Sequence, residues 1–175
     1  MLTAKSTFVL GGASSGKSAY AEELTMKLPG APVYLATAQG FDDEMIDKIA
    51  AHRRRRGGGW TTVEEPYDLP AAIAEHGIAD TVLLVDCLTL WLTNIMSVER
   101  DIPNETDALI ASIGNVQGRI VLVSNELGLG LVPGDELSRR FRNLHGNLNQ
   151  AVAASVDHAV LVAAGLPLTL KGVSD

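Results

Sequence analysis

The clearest chemistry in the chain lies in eight consecutive residues. Gly11, Gly12, Ala13, Ser14, Ser15, Gly16, Lys17 and Ser18 spell Gly-x-x-x-x-Gly-Lys-Ser, directly after the apolar run Phe8-Val9-Leu10 and directly before a helical pattern. This is a Walker A loop in its required strand-loop-helix setting. The glycines let backbone N–H groups turn inward around phosphate oxygens, and the helix start adds the positive end of its dipole. Lys17 then contacts the β and γ phosphates of a nucleoside triphosphate, and the Ser18 hydroxyl ligates Mg²⁺. The plainer reading is a glycine-rich turn with a solvated lysine, but chance rarely supplies this pattern in this context.

A second motif ends in a carboxylate. Val82-Leu83-Leu84-Val85-Asp86 puts an aspartate at the C-terminal end of an apolar strand, where a Walker B residue holds Mg²⁺. Strand-end aspartates also cap the following helix, so the motif gains its metal reading from the Walker A loop beside it. Cys87 reads as a small buried apolar residue, because nothing in the sequence supplies it with a base.

His52 precedes Arg53, Arg54, Arg55 and Arg56, with Gly57-Gly58-Gly59 and Trp60 following. A helix turns about 100° per residue, so four successive arginines fan around it and cannot all face one ligand. They complement the negative end of a helix dipole, or one or two of them bind a polyphosphate while His52 acts as base or nucleophile at phosphorus. Neighbouring cations favour the neutral imidazole, the form that attacks. His76, His145 and His158 lack metal-ligand spacing and read as surface or structural.

These residues need a scaffold. Short apolar runs at 7–10, 33–36, 81–85, 120–124 and 159–163 read as strands, continuous rather than alternating, as in a parallel sheet covered on both faces. Helical stretches at 17–28, 42–55, 69–76, 88–96, 105–113 and 136–156 lie between them. The order predicts an α/β fold of P-loop NTPase type, a mostly parallel sheet with helices on both faces. The glycine triplet and Asp101-Ile102-Pro103-Asn104 read as loops, and the 175 residues as a single P-loop nucleotide-binding domain spanning 1–175.

Apolar residues make up 46% of the chain and charged residues 20%, enough for a core and against wholesale disorder. The 14 Lys and Arg against 21 Asp and Glu give a formal net charge of −7. Such a balance argues against nucleic acid or anionic lipid over the whole surface, so anion binding must be local. One cysteine forms no internal disulfide, no apolar run approaches the ~18 residues of a membrane span, and a cytoplasmic location is expected.

Several segments together resemble one family, the bifunctional adenosylcobinamide kinase and adenosylcobinamide-phosphate guanylyltransferase of cobalamin biosynthesis. They are the phosphate loop, Tyr34-Leu35-Ala36-Thr37-Ala38-Gln39, Asp42-Asp43-Glu44-Met45, His52 with Trp60-Thr61-Thr62-Val63-Glu64-Glu65-Pro66, Asp86-Cys87-Leu88-Thr89-Leu90-Trp91-Leu92-Thr93-Asn94, Ser124-Asn125-Glu126-Leu127-Gly128-Leu129-Gly130-Leu131-Val132-Pro133, and Phe141-Arg142 with Asn149-Gln150. The resemblance implies two reactions. A nucleoside triphosphate, ATP or GTP, phosphorylates the aminopropanol hydroxyl of adenosylcobinamide; GTP then places GMP on a histidine, matched here by His52, and GMP passes to adenosylcobinamide phosphate.

The resemblance extends the nucleotide site to Thr37, Ala38, Gln39, Arg53, Arg54, Arg55, Arg56, Glu64 and Asp86. Guanine needs an acceptor for its N1–H and amino group, which Glu64 or Glu65 could supply. It also implies a corrinoid acceptor and a homo-oligomer, with a trimer among the states it allows; an acceptor of that size calls for a cleft between subunits, and the Walker motifs call for Mg²⁺. Two positions depart from the family: Ser14 stands where an arginine is common, and Ala51 where some members carry a second histidine. Asn125, Glu126, Arg142, Asn149 and Gln150 also match, with loop anchoring and helix capping as their neutral reading. Two other functions compete, a simple P-loop small-molecule kinase and a nucleotide-dependent switch; the second lacks an Asn-Lys-x-Asp guanine motif.

Overall fold

A computed structural model describes residues 4–39 and 58–172. The readings on His52, Arg53, Arg54, Arg55 and Arg56, and the helix expected over 42–55, lie outside these described residues. The strands are β1 (Ser6–Gly11), β2 (Ala31–Ala36), β3 (Thr61–Glu64), β4 (Thr81–Asp86), β5 (Arg119–Asn125), β6 (His158–Ala163) and β7 (Leu166–Lys171). They form one seven-stranded sheet in the order β3-β2-β4-β5-β1-β6-β7. All neighbours pair in parallel except β6 and β7, which form an antiparallel hairpin.

The continuous apolar strands are buried on both faces for a visible reason. Alternate residues enter different clusters: Phe8, Leu35, Leu83, Val85, Ile120 and Leu122 on one face, and Val9, Tyr34, Leu84, Val121, Val123 and Val160 on the other. The first face is covered by α2 (Leu69–His76), α3 (Leu88–Ser97), α4 (Ile102–Asn115) and α5 (Glu136–Ser155), which supply Leu69, Trp91, Leu109 and Leu148. The second is covered by α1 (Lys17–Lys27) through Ala21 and Leu24. Period-two alternation into two apolar layers fixes the register, because a one-residue slip would exchange the layers.

Three sequence expectations are corrected here. Asp101-Ile102-Pro103-Asn104 is a helix start rather than a loop: the Asp101 side chain accepts from Asn104 N at 3.2 Å, and Pro103 sits in the first turn. Proline is tolerated there because the first N–H groups of a helix have no partner to lose. Two strands, β3 and β7, were not anticipated. Both are sheet edges with little burial, so neither shows the continuous apolar run of the inner strands. In β7, Leu166, Leu168 and Leu170 face solvent at 72%, 58% and 54% exposure, and Pro167 is at home in an edge strand.

Candidate nucleotide site

Parallel strands deliver their C-terminal ends to one edge of the sheet, and the ends of β1, β2 and β4 carry the sequence-predicted residues. Gly11 pairs in register with Asn125, and Ala36 with Asp86. Ligands in open α/β sheets bind outside this edge.

The loop from Gly11 to Ser18 folds tightly. Ser15 N donates to Gly12 O at 3.3 Å, and Tyr20 N to Gly16 O at 3.0 Å. Gly16 has φ +92° at the helix entrance, a conformation in which a side chain would be strained. A Cβ on Gly11 would collide with the Ser15 side chain and with Val162 O. Lys17 Nζ donates to Gly12 O at 3.1 Å, arching back over its own loop. Ala13, Ser14 and Gly16 are exposed, while Gly12, Ser15, Lys17 and Ser18 are half-buried. Ser14 itself sits at φ 55°.

The sequence did not signal one support of this loop. Gly165 N, in the β6–β7 turn, donates to Ser15 O at 2.8 Å. The edge hairpin therefore braces the phosphate loop from behind.

Asp86 ends β4, and its Oδ2 accepts from Tyr34 Oη at 3.1 Å. The Tyr34 ring meets Trp60 edge-on at 6.2 Å. Cys87 is buried and its thiol is pushed up to about 12, by burial first and by the Asp86 charge second, with Lys17 acting weakly the other way. It is a packed apolar residue, as the sequence suggested, and both Asp86 and Lys17 lie within electrostatic reach of its sulfur. Among the described residues no group of three or more His, Cys, Asp or Glu forms a metal centre. Mg²⁺ beside a triphosphate takes one carboxylate, a hydroxyl, phosphate oxygens and water as ligands. Asp86 and Ser18 are hard oxygen donors of this kind.

Thr37 is fully buried, and its hydroxyl is spent on both polar groups of the Cys87 backbone. Asn94, buried on α3, donates to Thr37 O at 2.8 Å and to Pro66 O at 3.0 Å, clamping the β2 and β3 ends together. A polar residue on the apolar face of α3 was the signal for this clamp. Gln39 Oε1 accepts from Tyr67 Oη at 3.4 Å, and Ala38 beside it is half-buried. Glu64 and Glu65 differ: Glu65 Oε1 accepts from Tyr67 N at 2.9 Å and Asp68 N at 2.8 Å, whereas Glu64 is exposed at the end of β3.

Behind β5 lies a buried polar network. His145 Nε2 is 2.9 Å from Thr89 Oγ1 and 3.2 Å from Ser124 Oγ, and Ser124 donates to Asn149 at 2.8 Å. Thr89 Oγ1 accepts from Asn125 N, and Asn149 donates to Asn125 O. His145 is structural, one of the two roles the sequence allowed, and it is 1% exposed. Asn125 and Asn149 are loop anchors, while Gln150 is exposed and bonds only within its own helix.

Sheet, helices and loop together define a P-loop nucleotide-binding domain. Solved structures agree at the level of fold: an ATPase from a type III secretion system superposes with TM-score 0.54 at 14% identity, covering 98% of this chain and 59% of its own. The ATPase domain of G40P superposes with TM-score 0.53 at 11% identity, covering 90% of this chain and 68% of its own.

Sequence similarity is more specific, and the chain belongs to the cobinamide kinase / cobinamide phosphate guanyltransferase family, whose profile matches residues 7–170. A bifunctional adenosylcobalamin biosynthesis protein of Pseudomonas aeruginosa is 48% identical over 166 residues, 94% of this chain and 96% of the relative. A protein of the same description from Salmonella typhimurium is 36% identical over 178 residues, 93% of this chain and 98% of the relative.

Proposed function

We propose that this chain carries out both reactions in its family's description. In the first, the γ-phosphoryl group of ATP or GTP passes to the aminopropanol hydroxyl of adenosylcobinamide, which loses its proton as the nucleoside diphosphate departs. In the second, the His52 imidazole attacks the α-phosphorus of GTP; a P–N bond forms, the α–β P–O bond breaks and pyrophosphate leaves. A phosphate oxygen of adenosylcobinamide phosphate then takes GMP from His52, breaking the P–N bond. The product is adenosylcobinamide-GDP.

The observation that carries this reading is the family match over residues 7–170, which contains the Walker A loop intact at the C-terminal edge of the sheet. The amides of Gly11 to Ser18 bind and orient the triphosphate, and Lys17 offsets its charge. Mg²⁺, held by Ser18 and Asp86, supplies further charge neutralisation when bound. Glu64, which the family resemblance puts in the nucleotide site, reads guanine, while the Glu65 carboxylate accepts two backbone N–H groups in the turn before α2. Arg53 to Arg56 contribute charge beside His52. Thr37 acts by position, holding the peptide that follows Asp86, with Ala38 and Gln39 bordering the nucleotide.

No helix among the described residues is long and apolar enough to cross a membrane. We read the protein as a single domain, cytoplasmic and homo-oligomeric, without a nucleic-acid partner; the acidic composition and the exposed leucine row of β7 support this. The deciding experiment is incubation with Mg²⁺ and α-labelled GTP, then denaturation, acid and alkali treatment, and mass mapping. An acid-labile, alkali-stable GMP on His52 is expected. Intact GTP binding with no adduct would leave a simple kinase.

A further inference from the structure

A cavity of about 940 Å³ opens between the second half of α3, the start of α4, the loop after β5 and the first turns of α5. This is near the top of the range for small-molecule pockets, about 300–1,000 Å³. Met96, Ile102, Leu127 and Phe141 give it apolar walls, and Arg140 and Arg142 stand in the same lining. A third lining arginine, Arg100, is neutralised by Asp68 at 2.7 Å and Glu105 at 3.2 Å. Arg140 and Arg142 have no ion-pair partner among the described residues. Uncommitted guanidinium donors beside apolar walls suit a bulky ligand with apolar faces and a periphery of hydrogen-bond acceptors.

The cavity is also joined to the phosphate loop. Glu126 N donates to Gly11 O at 3.0 Å, so the loop that brings Leu127 into the lining starts beside the first glycine. On the other wall Phe141 stacks on His145 at 5.7 Å, and His145 belongs to the network that fixes Asn125. One rigid framework therefore sets both the loop edge and the cavity wall. Leu127 therefore stands between the cavity and the residue bonded to the first glycine of the loop.

We infer that this cavity seats the corrin macrocycle of the acceptor, with Arg140 and Arg142 donating to its peripheral amide carbonyls and its aminopropanol arm running past Leu127 to the phosphate loop. The inference rests on the cobinamide reading above and adds where the acceptor sits. A ring of this size with an amide rim matches the apolar faces and the two guanidinium groups, and neither feature is needed to bind nucleotide.

The test titrates the full chain with cobinamide, followed by its visible absorbance, and with a fluorescent GTP analogue in parallel. Met96→Trp fills the cavity, and the double variant Arg140→Ala, Arg142→Ala removes its donors. Each is expected to weaken cobinamide binding by about tenfold or more, with GTP affinity within about twofold of wild type. If Met96→Trp does not fold, the arginine pair carries the test, since Arg140 is exposed and Arg142 half-buried. Wild-type binding with both variants unaffected would overturn this inference alone. A wild type that binds no cobinamide would overturn the functional reading with it. Variants that change the oligomeric state and leave cobinamide affinity intact would make the cavity a face between copies, and the inference would fall.

Discussion

The Thr37 hydroxyl donates to Cys87 O at 2.8 Å and accepts from Cys87 N at 2.9 Å, so one buried side chain satisfies both ends of the residue that follows Asp86. Cys87 O has a second partner, Trp91 N at 3.1 Å. Among the described residues, the Cys87 N–H has Thr37 as its sole partner. Thr37→Val keeps the shape and leaves that N–H unpaired in the core, which costs about 1–3 kcal/mol. The variant is expected to unfold at lower urea concentration by that amount and to bind nucleotide more weakly, and Thr37→Ser to recover most of both. A Val variant as stable as wild type would show that Thr37 does not hold this junction.

Lys17→Ala is expected to abolish kinase activity and GMP transfer to His52 together, by about 100-fold or more, with the fold intact. The side chain rests on its own loop through Gly12 O and touches no other element by hydrogen bond, so its loss removes charge at the phosphates rather than structure. Retained guanylylation would contradict a shared phosphate site. Asp86→Asn preserves an acceptor for Tyr34 Oη but removes the negative charge. Its Mg²⁺ titration midpoint should rise by about tenfold, and an unchanged titration would leave Asp86 a structural partner of Tyr34, since the cap position of α3 is Cys87.

Glu64→Gln and Glu65→Gln separate guanine recognition from turn formation. Glu65 accepts two backbone N–H groups, so its amide variant should lose about 0.5–1.5 kcal/mol of stability and keep the preference for GTP. Glu64→Gln should lower the ratio of GTP to ATP affinity by about tenfold or more. The reverse pattern in paired binding titrations would assign guanine to Glu65.

What the sequence made legible follows from how each element is buried. Inner strands such as β4 and β5 carry unbroken apolar runs, Val82 to Val85 and Ile120 to Val123, because both faces are covered, and that pattern stands out in a single sequence. The edge strands β3 and β7 are half-solvated, and their leucines and threonines look like loop residues until neighbours are known. The Walker A loop was legible because its chemistry is local. The Gly165 brace, the Asn94 clamp and the His145 network join residues far apart in sequence, and only the folded chain brings them together. His145 carried no local mark separating a buried network member from a surface histidine, and Glu65 none separating a turn acceptor from a base reader.

Ala164 at φ 51° and Gly165 at φ 79° form the β6–β7 turn. Two successive positive values are the signature of a type I′ hairpin turn, in which Asn-Gly is the favoured pair and alanine is strained. Ala164→Asn is expected to stabilise the protein by about 0.5–1 kcal/mol, seen as a higher thermal midpoint. Because Gly165 N holds Ser15 O, nucleotide affinity should be retained or improved. A lower midpoint would mean that Ala164 makes packing contacts that outweigh its backbone strain.

His145 gives the fold an acid-sensitive joint. Asn149 Nδ2 lies 3.4 Å from its Nδ1 and assigns that nitrogen as an acceptor, which leaves Nε2–H to donate to Thr89 at 2.9 Å. Protonation would put a second donor against the Asn149 amide in a dry site. Burial therefore lowers the native imidazole below its ordinary 6.5, with the Glu126 carboxylate opposing weakly. A histidine lowered in the folded state binds more protons when unfolded, so its stabilisation is complete above about pH 6.5 and is lost as pH falls toward the native value. Asp157, held low by Ser6 N, adds its own loss only below its unfolded value of 3.8. Urea unfolding is thus expected to show lower stability at pH 5 than at pH 7.5, and His145→Gln to flatten that difference while lowering stability at both. The loss at pH 5 should reach GTP binding too, because Thr89 holds the Asn125 N–H beside the phosphate loop. Wild-type stability that stays level from pH 7.5 to 5 would show that His145 does not titrate on unfolding.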